Sequence, residues 1–342
     1  MQGILDEIYN PKHLVVDVRS PSEFEHGHVP GAVSIALFTD EERAAVGTAY
    51  AHEGKDKAIG FGLDVVGPRM NEYIAQVREH LARTQADDVI MYCWRGGMRS
   101  ASMAWLFRTV DIHVTTIEHG YKAYRHAVLD ALERPWKLVV IGGRTGTGKT
   151  HIIRALRERG EQVIDLEHIA NHRGSSFGAL GLPPQPTSEH AMNLVHKELM
   201  HFDASRRIFI EDESHAIGTV ALHEPFFRSI LHAPRFIIDL PTEVRVGMLV
   251  EEYGSQPSTD ITESFQRIGK KLGGARLKAA LAAYNKGEKA LAVELALQYY
   301  DSTYDYALKQ RSDTVKAKLA ANAFDANVLA DRVIATADRY FA

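Results

Sequence analysis

The chain has 342 residues, 45% of them hydrophobic and 25% charged, with a net charge of −4, which suits a globular protein of about two domains and excludes a disordered one. One cysteine leaves no internal disulfide framework and no four-cysteine zinc site. The acidic start M-Q-G-I-L-D-E and the lack of any roughly 20-residue apolar stretch give no sign of a signal peptide or membrane span, so a cytoplasmic location and no membrane partner are expected.

In chain order, H-L-V-V-D-V (13–18) reads as a short buried strand and D-V-I-M-Y-C (88–93) repeats the form, with an apolar helix over 100–110 and a third strand over 114–120. Strands alternating with helices imply a parallel sheet with crossovers. The helical pattern of 121–134 stops before Pro135, giving an expected first domain over 1–130 and a second over 131–342. The second opens on the strand W-K-L-V-V-I-G-G (136–143), and R-I-F-I-E-D-E-S (207–214) and R-F-I-I-D-L-P (235–241) supply further strands of a doubly wound sheet.

Two loops carry chemistry. In C-W-R-G-G-M-R-S (93–100), Gly96 and Gly97 let backbone N–H groups turn inward, Arg95 and Arg99 add charge, and a helix start near Ser100 points at the same place. Such a ring lowers the Cys93 thiol pKa and holds a tetrahedral anion, so Cys93, Arg95 and Arg99 are the candidate catalytic residues. The run G-R-T-G-T-G-K-T, comprising Gly143, Arg144, Thr145, Gly146, Thr147, Gly148, Lys149 and Thr150, is a complete phosphate-binding loop between a strand and a helix. Lys149 would supply charge to a diphosphate, and Thr150 a Mg²⁺ ligand. Among the acids Glu211, Asp212 and Glu213 at a strand end, Asp212 is the candidate on the metal side.

The segment 267–289 holds seven Lys/Arg against one Glu, so Lys270, Lys271 and Arg276, together with Arg144 and Arg173, are candidate nucleic-acid phosphate contacts; the bland alternative is a solvated helix face. Tyr299, Tyr300, Tyr304 and Tyr306 are candidates to stack a splayed base, although tyrosine clusters more often form core. The seventeen histidines show no metal-ligand spacing.

The Cys93 loop resembles that of the rhodanese family, and D-V-R-S-P-S-E-F-E-H-G-H-V-P-G-A-V-S-I (17–35) is similar to its second signature, in which Asp17, Arg19 and His28 read as scaffold. Five residues separate Cys93 from Arg99, as in the related dual-specificity phosphatases; sulfur-transferring rhodaneses usually have four. A rhodanese-like domain ahead of a P-loop domain resembles the bacterial tRNA 2-selenouridine synthases, as do G-Y-K-A-Y-R (120–125), A-N-H-R-G-S-S-F-G (170–178), E-D-E-S-H-A-I-G (211–218), K-L-G-G-A-R (271–276) and Y-Y-D-S-T-Y-D-Y (299–306). Residues 185–193, Q-P-T-S-E-H-A-M-N, depart from that family's pattern, which has a further Gln and a Phe-Glu pair.

The resemblance implies a rhodanese-like domain followed by a P-loop NTPase-like α/β domain with a basic helical C-terminal region. It implies that 2-thiouridine at the tRNA wobble position is geranylated from geranyl diphosphate and then converted to 2-selenouridine with selenium from selenophosphate, through a Cys93 perselenide. No tightly bound cofactor is expected beyond Mg²⁺ at the P-loop, and a selenophosphate-supplying enzyme is an expected partner. No D-D-x-x-D prenyl-diphosphate motif is present, so the P-loop is the natural cradle for the leaving diphosphate. The alternative is a rhodanese-fold phosphatase or sulfurtransferase with a regulatory nucleotide-binding P-loop domain.

Overall fold

A computed structural model describes residues 7–254 and 257–342. Contacts divide the chain into two units, Met1–Leu132 with Met192–Met200, and Glu133–Ala191 with His201–Ala342. Among the described residues, no helix is long and apolar enough to cross a membrane.

In the first unit, β1 (His13–Asp17), β2 (Val33–Ser34), β3 (Asp88–Tyr92) and β4 (Val114–Thr116) form a parallel sheet in the order β2-β1-β3-β4. β1 and β3 are buried after their first residue, the pattern of a parallel sheet covered on both faces. Their register pairs Asp17 with Tyr92, so the loops bearing Arg19 and Cys93 leave the same carboxyl edge of the sheet. The strand expected over 114–120 ends at Thr116 because His119 and Gly120 turn the chain with positive φ. The helix expected from Ser100 begins two residues earlier, at Met98.

Met192–Met200, the later part of the helix Ser188–Met200, also belongs to this unit. Its fully buried Asn193 donates to the His28 carbonyl at 2.8 Å and to the Tyr121 hydroxyl at 2.9 Å. A segment distant in sequence therefore helps to fix the elements around Cys93.

The second unit contains β5 (Leu138–Gly143), β6 (Gln162–Ile164), β7 (Ile208–Glu211), the hairpin β8 (Ala216–Ile217) and β9 (Val220–Ala221), β10 (Arg235–Asp239) and β11 (Val315–Ala320). Five of these form a parallel sheet ordered β11-β10-β5-β7-β6. β5 is buried along its whole length. The strand order reverses beside it, which is where doubly wound sheets bind ligands.

The basic helical region is an insertion between β10 and β11. Helices Thr242–Tyr253, Ser258–Leu272, Gly274–Asn285 and Lys289–Gln310 enclose a core of their own that includes Ile261, Phe265, Ala292 and Ala296. The chain then returns to the sheet as β11, and the closing helix Ala326–Phe341 packs Leu329, Ala330 and Val333 into the sheet's core.

Candidate active sites

Cys93 follows β3 directly and is only 3% exposed. The start of the helix Gly120–Leu132 clamps its loop: Tyr121 N–H donates to the Cys93 carbonyl at 2.8 Å, and Lys122 N–H to the Trp94 carbonyl at 3.0 Å. Gly120 has φ +59°, and a Cβ there would lie 2.2 Å from the Cys93 oxygen, so the glycine of G-Y-K-A-Y-R is required by close approach to the nucleophile's own backbone.

Burial pushes the Cys93 thiol up, but the Ser100 hydroxyl, hydrogen bonds from the Ser100 and Gly97 backbone, and the Arg99 charge outweigh it and hold the thiol below its ordinary pKa. The Ser100 hydroxyl lies 3.2 Å from both Cys93 Sγ and the Gly97 carbonyl, so it is placed to turn its proton toward a thiolate. Arg99 does not face an empty ring, since it donates to Glu23 at 2.6 Å. An anion entering the loop competes with that carboxylate. Arg95 is exposed on the loop.

Asp17 and Arg19 form a buried pair at 2.7 Å, with the guanidinium 3.8 Å from the Tyr121 ring centre. His28 Nδ1 lies 2.8 Å from the Phe24 carbonyl and its ring stacks on Phe24 at 3.7 Å. These three residues brace the strand edge around the loop.

In the second unit the P-loop joins β5 to the helix Lys149–Glu158 and lines a cleft of about 870 Å³. Gly148 has φ +70°, and a Cβ there would meet the Phe324 ring at 2.3 Å. Lys149 Nζ donates to the Gly143 carbonyl at 3.2 Å, curling back over the loop. Behind it, the buried Arg245 donates to the Thr145 carbonyl at 3.2 Å and to Asp301 at 2.7 and 2.8 Å. Arg144 pairs with Asp305 at 2.8 Å.

Thr150 donates its hydroxyl to Glu167, a carboxylate that sequence reasoning missed because it lies after the three-residue strand β6. Glu213 also lines the cleft, and burial with the charge of Glu167 pushes it up to about 8 despite the opposing charge of Lys149. Asp212 lines the cleft too, but it is bound by Arg311 at 3.2 Å and Arg235 at 3.4 Å. Glu167, not Asp212, is the acid in contact with Thr150. Among the described residues no cluster of three or more His, Cys, Asp or Glu is placed to hold a metal; Mg²⁺ at such loops is instead held by one hydroxyl, waters and the ligand's phosphate oxygens, which Thr150 fits.

Arg173 lines the same cleft, pairs with Glu252 at 2.7 Å and donates to the Leu180 carbonyl at 2.8 Å. Lys270 and Lys271 are exposed in the last turn of Ser258–Leu272, with Arg276 exposed in the next helix. Tyr300 and Tyr304 face the cleft, the Tyr300 hydroxyl accepting from Ser176 N–H at 3.2 Å, whereas Tyr306 is 69% exposed. In the divergent stretch after Pro184, Gln185 bridges the Ala170 and Ile217 carbonyls, at 2.9 Å each.

A restrained, acidified thiol at a parallel-sheet edge and a lysine-bearing phosphate loop in the following unit define a rhodanese-like domain fused to a P-loop domain. A model of the Rhodanese-like domain matches residues 2–127, and one of the tRNA 2-selenouridine synthase AAA domain matches residues 136–331. The chain is similar to the tRNA 2-selenouridine synthase of Sulfurovum sp. (strain NBC37-1), at 31% identity over 88% of this chain and 90% of that one. The Bordetella petrii protein of the same name is 34% identical, covering 88% of each, and that of Bdellovibrio bacteriovorus is 31% identical over 92% of this chain and 94% of that one. The chain belongs to the tRNA 2-selenouridine synthase family and is an enzyme.

Proposed function

We propose that this enzyme converts 2-thiouridine at the tRNA wobble position into 2-selenouridine in two steps, one at each site. The reading is carried by the pairing, in one chain, of a thiol held below its ordinary pKa with a lysine-bearing diphosphate loop. In the first step the 2-sulfur attacks C1 of geranyl diphosphate, the C–O bond breaks and diphosphate leaves. Lys149 and the loop N–H groups from Gly143 to Thr150 hold the departing charge. Mg²⁺, held by Thr150 with Glu167 behind it, would neutralise more of it. Arg173, Lys270, Lys271 and Arg276 contact tRNA phosphates in this reading, and a selenophosphate-supplying enzyme serves as partner.

In the second step the Cys93 thiolate takes selenium from selenophosphate. Attack on selenium forms the S–Se bond of a perselenide and breaks P–Se, with phosphorus keeping the electron pair as phosphite. The selenium then adds to C2 and geranyl thiol leaves. Opening the remaining S–Se bond requires an external thiol as reductant, because the chain has one cysteine. The five-residue spacing from Cys93 to Arg99 favours a second route, in which the thiolate attacks phosphorus and the P–Se electron pair stays on selenium. Selenide then displaces geranyl thiol, and water hydrolyses the S-phosphocysteine to phosphate with no redox change.

Phosphorus NMR of spent selenophosphate distinguishes the routes: phosphite with thiol dependence for the perselenide, phosphate without it for attack on phosphorus. Selenation that survives Cys93→Ala contradicts both. Cys93-dependent turnover of p-nitrophenyl phosphate with tRNA nucleosides unchanged would favour the phosphatase alternative.

A further inference from the structure

The anion that Arg99 holds belongs to the protein itself. Its guanidinium grips both oxygens of Glu23, at 2.6 and 3.3 Å, although Arg99 stands in the first turn of Met98–Arg108, close enough for its charge to lower the Cys93 thiol pKa. Glu23 does not depend on that contact. As the third residue of the helix Pro21–His26 it accepts from the Ser20 backbone N–H at 3.1 Å and the Ser20 hydroxyl at 3.3 Å, closing a capping box, and Arg43 lies 3.9 Å from the same oxygen. If Arg99 left, the carboxylate would keep these three partners. The pair is also accessible, with the Arg99 and Glu23 side chains 21% and 19% exposed, whereas the bracing pair Arg19 and Asp17 is at most 2% exposed. A Cβ on Gly97 would meet nothing within 4 Å, so the Cys93 loop has open space beside it for an entering ligand.

We propose that Glu23 is an exchangeable partner of Arg99: it yields the guanidinium to the phosphate end of selenophosphate entering the Cys93 loop and, on returning, helps to release the spent tetrahedral anion. The inference rests on assigning selenophosphate to that loop, and it adds the residue that sets how tightly the loop holds an anion. A guanidinium binds carboxylate and phosphate through the same fork of N–H groups, so one occupant excludes the other. A phosphate dianion carries more charge than the carboxylate and can therefore compete for the fork. Glu23 also opposes the entering anion by like-charge repulsion, which weakens binding of substrate and product alike. Without Glu23, the charge of Arg99 would stand unbalanced beside the thiol, and inorganic phosphate would be held on the loop.

Protection of Cys93 by inorganic phosphate tests the exchange without requiring turnover, because the chain's single cysteine reports on this loop alone. The full-length enzyme is alkylated with iodoacetamide at fixed pH and ionic strength over a range of phosphate concentrations. Glu23→Gln removes the charge that faces Arg99 and keeps the contact with Ser20, since Gln serves equally at this position of a capping box. Half-protection of the variant should need about 3- to 10-fold less phosphate than half-protection of the wild type, the scale of a charge-assisted hydrogen bond reduced by partial exposure. Equal or weaker protection of the variant, as expected of a carboxylate that only orients Arg99, or no protection of either protein, would overturn the proposal. If Glu23→Gln does not fold, a crystal structure of the wild type at saturating phosphate serves as the second arm. The Arg99 guanidinium should then lie on phosphate with Glu23 left on Ser20, and a guanidinium still on Glu23 would overturn the exchange. Selenation of geranylated tRNA is measured separately. Its failure alongside tighter phosphate binding by the variant would refute the selenophosphate reading while leaving the exchange at Arg99 standing.

Discussion

Ser100→Ala isolates what lowers the Cys93 thiol pKa. The Ser100 hydroxyl lies 3.2 Å from Sγ, and burial opposes ionisation at this 3%-exposed site. A hydrogen bond to a charged group is worth about 1.5–3 kcal/mol, and each 1.4 kcal/mol is a factor of ten. On the low-pH limb the variant's thiolate fraction should therefore fall roughly 10- to 100-fold. A more basic thiolate is intrinsically faster, with a Brønsted slope of about 0.4–0.5, so iodoacetamide alkylation on that limb should slow by about 3- to 10-fold. Above the titration of both proteins the loss should vanish or reverse. Alkylation rates from pH 5 to 10 thus give curves that separate at low pH and meet or cross at high pH. Superimposable curves, or a uniform loss at every pH, would refute the assignment of Ser100 as the group that turns its proton to the thiolate.

Gly120→Ala places a methyl 2.2 Å from the Cys93 carbonyl at φ +59°, which should cost at least about 1–3 kcal/mol and misplace the thiol; a wild-type unfolding midpoint together with a wild-type alkylation profile would show that the clamp is not needed. Glu213 tests the cleft's electrostatics. With its pKa pushed up to about 8 in the fold, folding takes up a proton between the ordinary carboxylate range and pH 8, so its contribution to stability falls as pH rises through that window. Melting temperatures measured from pH 6 to 9 should decline less steeply in Glu213→Gln than in wild type, and equal slopes would count against the raised pKa.

Most of the sheet was readable because buried parallel strands are short apolar runs, as in L-V-V-D and D-V-I-M-Y. Five strands were not. β2, β8 and β9 have two residues each and β6 three, too few to show a pattern, and β11, V-K-A-K-L-A, alternates lysines with small residues in the manner of an edge strand. The doubly wound sheet and the helical C-terminal region were both expected, but not that those helices interrupt the sheet, because the return strand β11 was among those missed. Both loops were legible as contiguous motifs. Their supports were not: Glu167 at Thr150, Arg245 behind Thr145, Glu23 on Arg99 and Asn193 beneath Tyr121 act across long separations that no local pattern encodes. Acids at a strand end suggested Asp212 for the metal, whereas its two arginine partners and the Thr150–Glu167 contact became visible only in three dimensions.

The division of labour between the two loops is tested most directly by mass spectrometry of tRNA nucleosides after incubation with geranyl diphosphate, followed by selenophosphate. Cys93→Ala should accumulate S-geranyl-2-thiouridine without selenouridine, and Lys149→Ala should leave 2-thiouridine unmodified while still converting tRNA supplied already geranylated. Geranylation by Lys149→Ala at the wild-type rate, or loss of both products in Cys93→Ala, would contradict that division.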